Sequence, residues 1–165
     1  MKSIGRAVKA ALVCVALSGC AAGASNPSWV ASTYSGHQIQ TIPDGIRVHN
    51  DPGGHVTTRI NEIRELNARG DRVEIVGTCA SACTLYLGAD NVCISPNAML
   101  GFHGPRSGKP GGKLTLIQFE RASARMASMY PDWIKAWFME EARYVQYKAM
   151  WLSGDSLIRS GYASC

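Results

Sequence analysis

The fold is decided by residues 46–105, with the sequence IRVHNDPGGHVTTRINEIRELNARGDRVEIVGTCASACTLYLGADNVCISPNAMLGFHGP. Short β-branched runs, typical of buried strands, alternate here with one amphipathic segment and one segment that is apolar nearly all round. The predicted elements are a strand at 46–49, a helix ended by Gly70, a strand at 73–76, a buried helix at 80–87, and strands at 92–95 and 99–102. Strands that alternate with helices predict an α/β domain with a short, mostly parallel β-sheet.

The flanking segments complete this domain. Residues 37–45 are compatible with a further strand and a Pro-Asp-Gly turn, and the Gly- and Pro-rich residues 104–113 predict a mobile loop. Residues 114–151 are predicted to be mostly helical, with an interruption at Pro131. A last short helix is expected at 153–160, so the sheet should have packed helices and a helical C-terminal part.

The first nineteen residues have the features of a bacterial lipoprotein signal peptide. Three basic residues precede an apolar run at 10–17, which is too short to span a bilayer. Residues 17–20 (LSGC) then form a lipobox, which predicts cleavage before Cys20 and a diacylglycerol on its thiol. The alternative is an ordinary secretory signal that is cut after Ala22 or Ala24.

The sequence therefore divides into three regions. Residues 1–19 are the predicted signal peptide, residues 20–45 the lipidated N-terminus and tether, and residues 46–165 the α/β domain. Ala21, rather than an aspartate, follows the cysteine, which favours the outer membrane. We expect a protein that is lipid-anchored on the periplasmic side of the cell envelope, with the membrane as its partner.

The formal net charge of +5 belongs largely to the signal peptide. Of 17 Lys and Arg residues three lie in 1–19, where no acidic residue lies, so 14 basic and 12 acidic residues leave +2. No dense basic patch remains, and nucleic acid is not expected as a partner. No motif in the chain indicates a metal or an organic cofactor.

Four cysteines would remain beside the lipidated one: Cys79, Cys83, Cys93 and Cys165. An even number in an oxidising compartment favours up to two disulfides, and Cys83–Cys93 is the preferred pair because a short helix would return the chain beside itself. Zinc on Cys79, Cys83 and His103 is a rival, although C-x₃-C without a second tight pair is a poor zinc pattern. A redox role of Cys79 and Cys83 is a third alternative.

Ser81 follows a buried strand and begins a helix. Such a strand-to-helix elbow exposes a hydroxyl at the end of a sheet, beside the positive end of the helix, as a nucleophile requires. The competing interpretation is a helix N-cap, since serine is favoured there without any catalytic role.

His103 follows an apolar strand and could face the end of the neighbouring strand, where Ser81 lies. Its intrinsic pKa is near the working pH, which suits a general base, although a histidine that merely binds a carbonyl is the simpler interpretation. Gly54, in a Gly-Gly turn, lacks a Cβ, so its backbone can approach a ligand closely. The N–H groups of Gly54 and Ala82 would together form an oxyanion hole.

Three motifs, in this order, resemble the Clp-type serine peptidases of the ClpP/crotonase superfamily. They are DPGG at 51–54, GTCAS at 77–81 and PNAMLGFHGP at 96–105. That family combines a Pro-Gly-Gly turn, a serine at a helix start and a histidine in a P-N-x-x-x-x-H-x-P context. The C-x-S-A-C version is similar to small periplasmic members.

The resemblance covers residues 46–105 well and the segment 151–153 weakly. It implies a ClpP/crotonase-like fold and a serine-hydrolase site for peptide or acyl substrates. The implied site residues are the nucleophile Ser81, the base His103, and the oxyanion donors Gly54 and Ala82.

Two departures from the family pattern matter. The family's third triad residue is an aspartate two residues before a Phe-Leu-Ser, and alignment of residues 151–153 puts Ala149 there. Asp155 and Glu141 are the nearest substitutes, although Asp155 also suits the first turn of a helix. In addition, few residues precede the Gly-Gly turn, so the family's ring assembly is not implied and a homo-oligomer is left open.

Two functions are carried forward. The first is a membrane-anchored, periplasmic, ClpP-like serine hydrolase or peptidase with Ser81 as nucleophile, His103 as base and Asp155 as the candidate acid. The second is a non-catalytic, ClpP-like binding or assembly lipoprotein of the cell envelope, in which Ser81 is a buried cap. The alanine at position 149 and the short N-terminus motivate the second.

Overall fold

The structure, a computed structural model, describes residues 38–109 and 111–165. The predicted signal peptide, the lipidation site Cys20 and the first part of the tether lie outside the described residues. No helix within the described ranges is long and apolar enough to cross a membrane. Residues 38–45, which the sequence analysis assigns to the tether, form a strand and a turn and so belong to the folded domain.

The described residues form seven strands, four α-helices and two 3₁₀ helices. In chain order these are β1 (Gln38–Ile42), β2 (Gly45–Asp51), α1 (Val56–Arg69), β3 (Arg72–Ala80), a 3₁₀ helix (Ser81–Gly88), β4 (Val92–Ile94), β5 (Met99–Phe102), α2 (Leu116–Ala127), α3 (Asp132–Glu140), a short 3₁₀ helix (Ala142–Tyr144), β6 (Met150–Ser153), α4 (Gly154–Arg159) and β7 (Ala163–Ser164). The 3₁₀ helix Ser81–Gly88 is called the Ser81 helix.

The strands form one mixed, mostly parallel sheet, which confirms the predicted α/β class. β3 runs parallel to β2 along one edge. Along its other edge it pairs in parallel first with β4, through residues 73–75, and then with β5, through residues 78–80. β7 is parallel to β4, whereas β1 and β6 are antiparallel to β2 and β5. The carboxyl end of β3 therefore has β2 and β5 as its neighbours.

Apolar spacing explains how the helices pack on this sheet. α1 buries Ile60, Ile63 and Leu66 in the core, and it ends at Gly70 in the left-handed conformation that glycine adopts most readily. The Ser81 helix is buried from residue 82 to residue 87, as its continuous apolar run predicts. Its 3₁₀ geometry was not predicted, since 3₁₀ runs of this length are uncommon.

The C-terminal part is only partly helical. α2 and α3 lie on either side of Pro131, as predicted, but the prediction that helix continues to Trp151 is wrong. Met150–Ser153 form β6 instead, and the Trp151 ring covers Gly101, where an added Cβ would lie 2.8 Å from that ring. Pairing with β5 is a tertiary contact, and it overrides the local helical pattern.

Two disulfides join the four cysteines, as Cys79–Cys83 and Cys93–Cys165. The preferred Cys83–Cys93 pair is therefore wrong. Cys83 turns back toward Cys79 because the Ser81 helix begins directly after β3, while β7 lies beside β4 and brings Cys165 to Cys93. Two disulfides are consistent with an oxidising, extracytoplasmic setting.

Candidate functional site

The three segments predicted to carry the chemistry meet at one edge of the sheet. The Pro-Gly-Gly turn follows β2, Ser81 follows β3 and His103 follows β5. β2 and β5 are both parallel neighbours of β3, with Asp51 paired to Cys79 and Gly101 paired to Ala80. Carboxyl ends of adjacent parallel strands thus lie side by side, at the edge where open α/β sheets bind ligands.

Ser81 has a strained backbone. Its φ of 58° makes it the single non-glycine residue with positive φ in the described part of the chain. Such a conformation costs roughly 1–3 kcal/mol and persists where the surroundings enforce it. The Cys79–Cys83 disulfide closes around it, and the Thr84 hydroxyl donates to its carbonyl oxygen at 2.7 Å. Ala80, without a side-chain cap bond, is the N-cap of the Ser81 helix, so the N-cap interpretation of Ser81 is wrong.

Gly53 packs directly against this elbow. A Cβ added to Gly53 would lie 2.5 Å from the Ser81 Cβ and 2.8 Å from the Ala82 nitrogen. These distances leave room for hydrogen alone, so glycine is required where the turn after β2 meets the elbow after β3. The turn and the elbow are therefore one packed unit.

The backbone donors at this point divide into two groups. The Gly53 N–H donates to Asp51 Oδ1 at 2.8 Å, so it holds the turn and is not available to a ligand. The Gly54 N–H has no acceptor within the described residues, and an added Cβ on Gly54 would meet open space. Ala82 lies in the first turn of the Ser81 helix, where N–H groups lack intrahelical acceptors and the helix dipole is positive. Gly54 and Ala82 thus lie on two segments that pack against each other through Gly53.

His103 is half-buried and has a defined tautomer. Its Nδ1 lies 2.7 Å from the Gly104 carbonyl oxygen, so Nδ1 carries the proton that is donated and Nε2 is left as the basic atom. The pKa of His103 is lowered from its usual 6.5, mainly by burial; the Gly104 hydrogen bond opposes this and the Arg106 guanidinium adds to it. The imidazole is therefore held neutral at neutral pH, as a general base requires.

Ser81 and His103 occupy neighbouring strand ends, one and two residues beyond the Ala80–Gly101 pair. Adjacent parallel strands are about 4.8 Å apart, so the backbones at these two strand ends are neighbours. In the described part of the chain no hydrogen bond joins their side chains. Catalytic hydrogen bonds are often loose without substrate and tighten when it binds.

The acceptor of the His103 proton is itself fixed by the fold. The Gly104 N–H donates to the Val145 carbonyl oxygen at 2.8 Å. An added Cβ on Gly104 would lie 1.6 Å from the Arg143 carbonyl oxygen, so only glycine fits. The segment between α3 and β6 thus presses on Gly104 and positions the carbonyl that orients the imidazole.

The residue directly before β6 is not an acid. β5 and β6 are antiparallel and their pairing ends at Phe102 with Met150, so His103 directly follows the paired part of β5 and Ala149 directly precedes that of β6. The residue next to this last pair on β6 is thus an alanine, not a carboxylate.

Asp155, the candidate acid, lies at the other end of β5. It follows β6 beyond the Met99–Ser153 pair, and its N–H donates to the Pro96 carbonyl oxygen. Its exposed carboxylate pairs with Arg159 one turn along α4. The structure does not bring Asp155 to His103, because its place at the start of α4 points it away from the carboxyl end of β5. Glu141, the other substitute, is exposed at the end of α3.

The zinc alternative needs free thiols on Cys79 and Cys83, and the redox alternative needs a disulfide that another thiol can reach. Both side chains are fully buried and joined to each other. A disulfide sulfur is not the thiolate that binds zinc, so the structure favours a structural role for this pair. The pair holds the elbow on both sides of Ser81.

No family model matches this chain, and a search of curated proteins finds no match. The likeness to Clp-type peptidases therefore depends on the three ordered sequence motifs alone.

A buried ionic network joins the Pro-Gly-Gly turn to α1 and was not predicted from the sequence. Asp51 is fully buried and pairs with Arg59, which is 8% exposed on α1; Tyr86 of the Ser81 helix completes the contact. Two features of the sequence point to this network. Asp51 directly precedes the Pro-Gly-Gly turn, and Arg59 is next to Ile60 on the buried face of α1. Buried charges in proteins are usually paired.

A separate cavity of about 620 Å³ lies at the other end of the Ser81 helix. Its lining is largely apolar and aromatic and includes Leu87, Tyr130, Trp133 and Tyr162. It opens beside Gly88, seven residues along the helix from Ser81, and does not belong to the site at the carboxyl ends of the strands.

Proposed function

We propose that this protein is a ClpP/crotonase-like serine hydrolase that cleaves peptides or acyl esters with a Ser81–His103 pair. The observation that carries the proposal is the packed unit of elbow and turn: Ser81 at φ 58° with Gly53 against it. A strained strand-to-helix serine beside a glycine turn and a helix N-terminus is the arrangement that acyl transfer needs. A cap or a simple turn would require none of this strain.

The residues have these roles in the proposed reaction. His103 Nε2 accepts the Ser81 hydroxyl proton while Ser81 Oγ attacks the substrate carbonyl carbon. The N–H groups of Gly54 and Ala82 donate to the resulting oxyanion, and each such donor is typically worth about 10²–10³ in kcat. His103 then protonates the leaving group. In the second half-reaction the imidazole takes a proton from a water molecule that attacks the acyl carbon, and it returns this proton to Ser81 Oγ as the C–O bond to Ser81 breaks.

The Gly104 carbonyl supplies one of the two effects of a triad aspartate. A triad aspartate fixes the histidine tautomer and stabilises the imidazolium, and its loss costs about 10⁴ in kcat. The carbonyl fixes the tautomer but carries no full charge, so it supplies the first effect and only a fraction of the second. We therefore expect a slow hydrolase.

The site is proposed to work in the bacterial cell envelope. A lipid on Cys20 would anchor the protein to the membrane, on the periplasmic side and in the outer membrane. The two disulfides support an oxidising compartment.

A fluorophosphonate probe tests the proposal, since it labels only serines activated as nucleophiles. We expect labelling of the wild type, loss of labelling in Ser81→Ala, and retention in Ser128→Ala, a control at an exposed serine at the end of α2. Equal labelling of all three proteins, or of none, would contradict the proposed activity.

The second candidate is a non-catalytic binding or assembly lipoprotein with the same fold. The observation that favours it is Ala149, rather than an acid, next to the last pair of β5 and β6. It predicts that Ser81→Ala leaves the cellular phenotype intact while changes in the 104–113 loop abolish it. The reverse pattern supports the hydrolase.

A further inference from the structure

Arg59 lies between the two backbone segments that carry the proposed oxyanion donors. It belongs to α1, which begins just after the Pro-Gly-Gly turn and also contacts the Ser81 helix. Its side chain is 8% exposed, and that of its partner Asp51 is fully buried. A guanidinium in this place can act on both segments at once.

One side of the guanidinium holds the turn. Arg59 Nη2 donates to Asp51 Oδ2, while Asp51 Oδ1 accepts the Gly53 N–H at 2.8 Å. The carboxylate therefore transmits the position of Arg59 to the residue directly before Gly54. Without that acceptor the buried Gly53 N–H would have no hydrogen-bond partner, and the turn would no longer be held in this conformation.

The other side holds the Ser81 helix. Arg59 Nη1 donates to the Tyr86 hydroxyl oxygen and to Glu62 Oε2, the latter at 2.6 Å. The guanidinium carbon also lies 4.3 Å from the centre of the Tyr86 ring, and the Tyr86 hydroxyl donates to Glu62 Oε1 at 2.7 Å. Tyr86 lies in the same helix as Ala82, so this contact fixes where the helix begins.

We propose that Arg59 is a positioning residue that sets the separation of the Gly54 and Ala82 N–H groups, an inference that rests on the proposed hydrolase function. Replacement of both members of a buried ion pair by apolar side chains is often neutral for stability, whereas removal of one member leaves a buried charge and destabilises the fold. Arginine provides what an apolar side chain cannot, a planar fork that joins a carboxylate on one element to a phenol on another. Its contribution should therefore appear in the transition state, where the oxyanion forms.

Steady-state hydrolysis of a p-nitrophenyl ester is the test, with wild type, Arg59→Met, Arg59→Lys and Tyr86→Phe. We expect Arg59→Met to lower kcat about 10²–10³-fold with KM nearly unchanged, as loss of an oxyanion donor does. Arg59→Lys should recover part of kcat, because lysine can keep one contact but not both. The control Arg64→Met, at an exposed arginine of α1 that donates to Asn61 Oδ1, should match the wild type.

Tyr86→Phe removes one hydroxyl and keeps the ring, so it serves if Arg59→Met does not fold. A fall in kcat of about tenfold at constant KM would support the inference. An active wild type with unchanged kcat in Tyr86→Phe and in the folded Arg59 variants would overturn it and leave the hydrolase intact. A rise in KM at constant kcat would overturn it too, because Arg59 would then act in substrate binding. A wild type that neither hydrolyses the ester nor binds fluorophosphonate overturns the proposed function and this role together.

Discussion

Gly53 touches Ser81 so closely that a Cβ atom on Gly53 would lie 2.5 Å from the Cβ of Ser81. The contact joins a turn after one strand to an elbow after its parallel neighbour. Both residues have positive φ, 100° for Gly53 and 58° for Ser81. The strained serine and the glycine packed against it keep the site in one geometry before any substrate arrives.

Gly53→Ala should therefore destabilise the fold by about 3 kcal/mol, from backbone strain and overpacking together. Gly70→Ala is the matched control, because Gly70 has a similar positive φ, 71°, with no atom near its added Cβ. It should cost only about 1 kcal/mol. Urea unfolding of the two variants measures the difference, and equal losses would show that the contact is not tight.

Ala149→Asp should raise activity, since it puts a carboxylate directly before Met150, the residue that pairs with Phe102 next to His103. The expected gain is at least tenfold in kcat, a small share of the roughly 10⁴ that a triad aspartate provides, because the Gly104 carbonyl already fixes the tautomer. Ester hydrolysis is the measurement. Tyr147→Asp adds the same charge at an exposed position and should give no gain.

The new carboxylate should also raise the His103 pKa, because a negative charge favours the imidazolium. The acid limb of the pH–rate profile should move to higher pH in Ala149→Asp. A gain in rate without that movement would mean that the aspartate acts elsewhere.

The pH profile of the wild type follows from the lowered pKa of His103. Activity needs the neutral imidazole, so kcat/KM should fall with acid only below pH 6.5. Arg106→Ala removes a cation that lowers this pKa, so its acid limb should lie at higher pH than in the wild type. Arg121→Ala, at an exposed position of α2, should leave the pH–rate profile unchanged.

The same group makes stability depend on pH. The pKa of His103 is lower in the folded than in the unfolded chain, so the unfolded chain binds more protons between the folded pKa and 6.5. Stability should therefore decrease as the pH falls through that window. Urea midpoints of the wild type and His103→Gln, measured above and below pH 6.5, test this. The same pH dependence in both proteins would contradict a lowered pKa for His103.

The two disulfides should have separable effects. Loop-closure entropy predicts a loss of about 4 kcal/mol for removal of Cys93–Cys165, with its separation of 72 residues, and about 2 kcal/mol for Cys79–Cys83, with its separation of 4. Fluorophosphonate labelling should fall more on removal of Cys79–Cys83 than of Cys93–Cys165, because Cys79–Cys83 encloses Ser81. Urea unfolding and labelling of the two double Cys→Ala variants provide both orders.

The sequence was informative where the signal is local. β-branched runs predicted the parallel strands, and parallel strands place residues 51–54, Ser81 and His103 at one edge whatever their other contacts. The absence of an acid at position 149 was also evident, since it depends only on alignment with a short motif.

The rest depends on contacts between distant residues. β6 has a helix-like pattern, and only β5 beside it makes it a strand. Arg59 looks like a solvent-facing helix charge; its burial requires Asp51, 8 residues before it, and Tyr86, 27 residues after it. The Cys93–Cys165 disulfide likewise follows from the place of β7 beside β4, which no local pattern predicts.

β3 is hydrogen-bonded to β2, β4 and β5, so its amides cannot open unless several strand pairs separate together. Its amide protons should exchange with solvent only through global unfolding, more slowly than those of β1 at the sheet margin. Ser81 follows directly from the last residue of this strand. Partial unfolding that releases β1 or the 104–109 segment would leave the serine in place, so the candidate nucleophile belongs to the part of the molecule that is last to lose its structure.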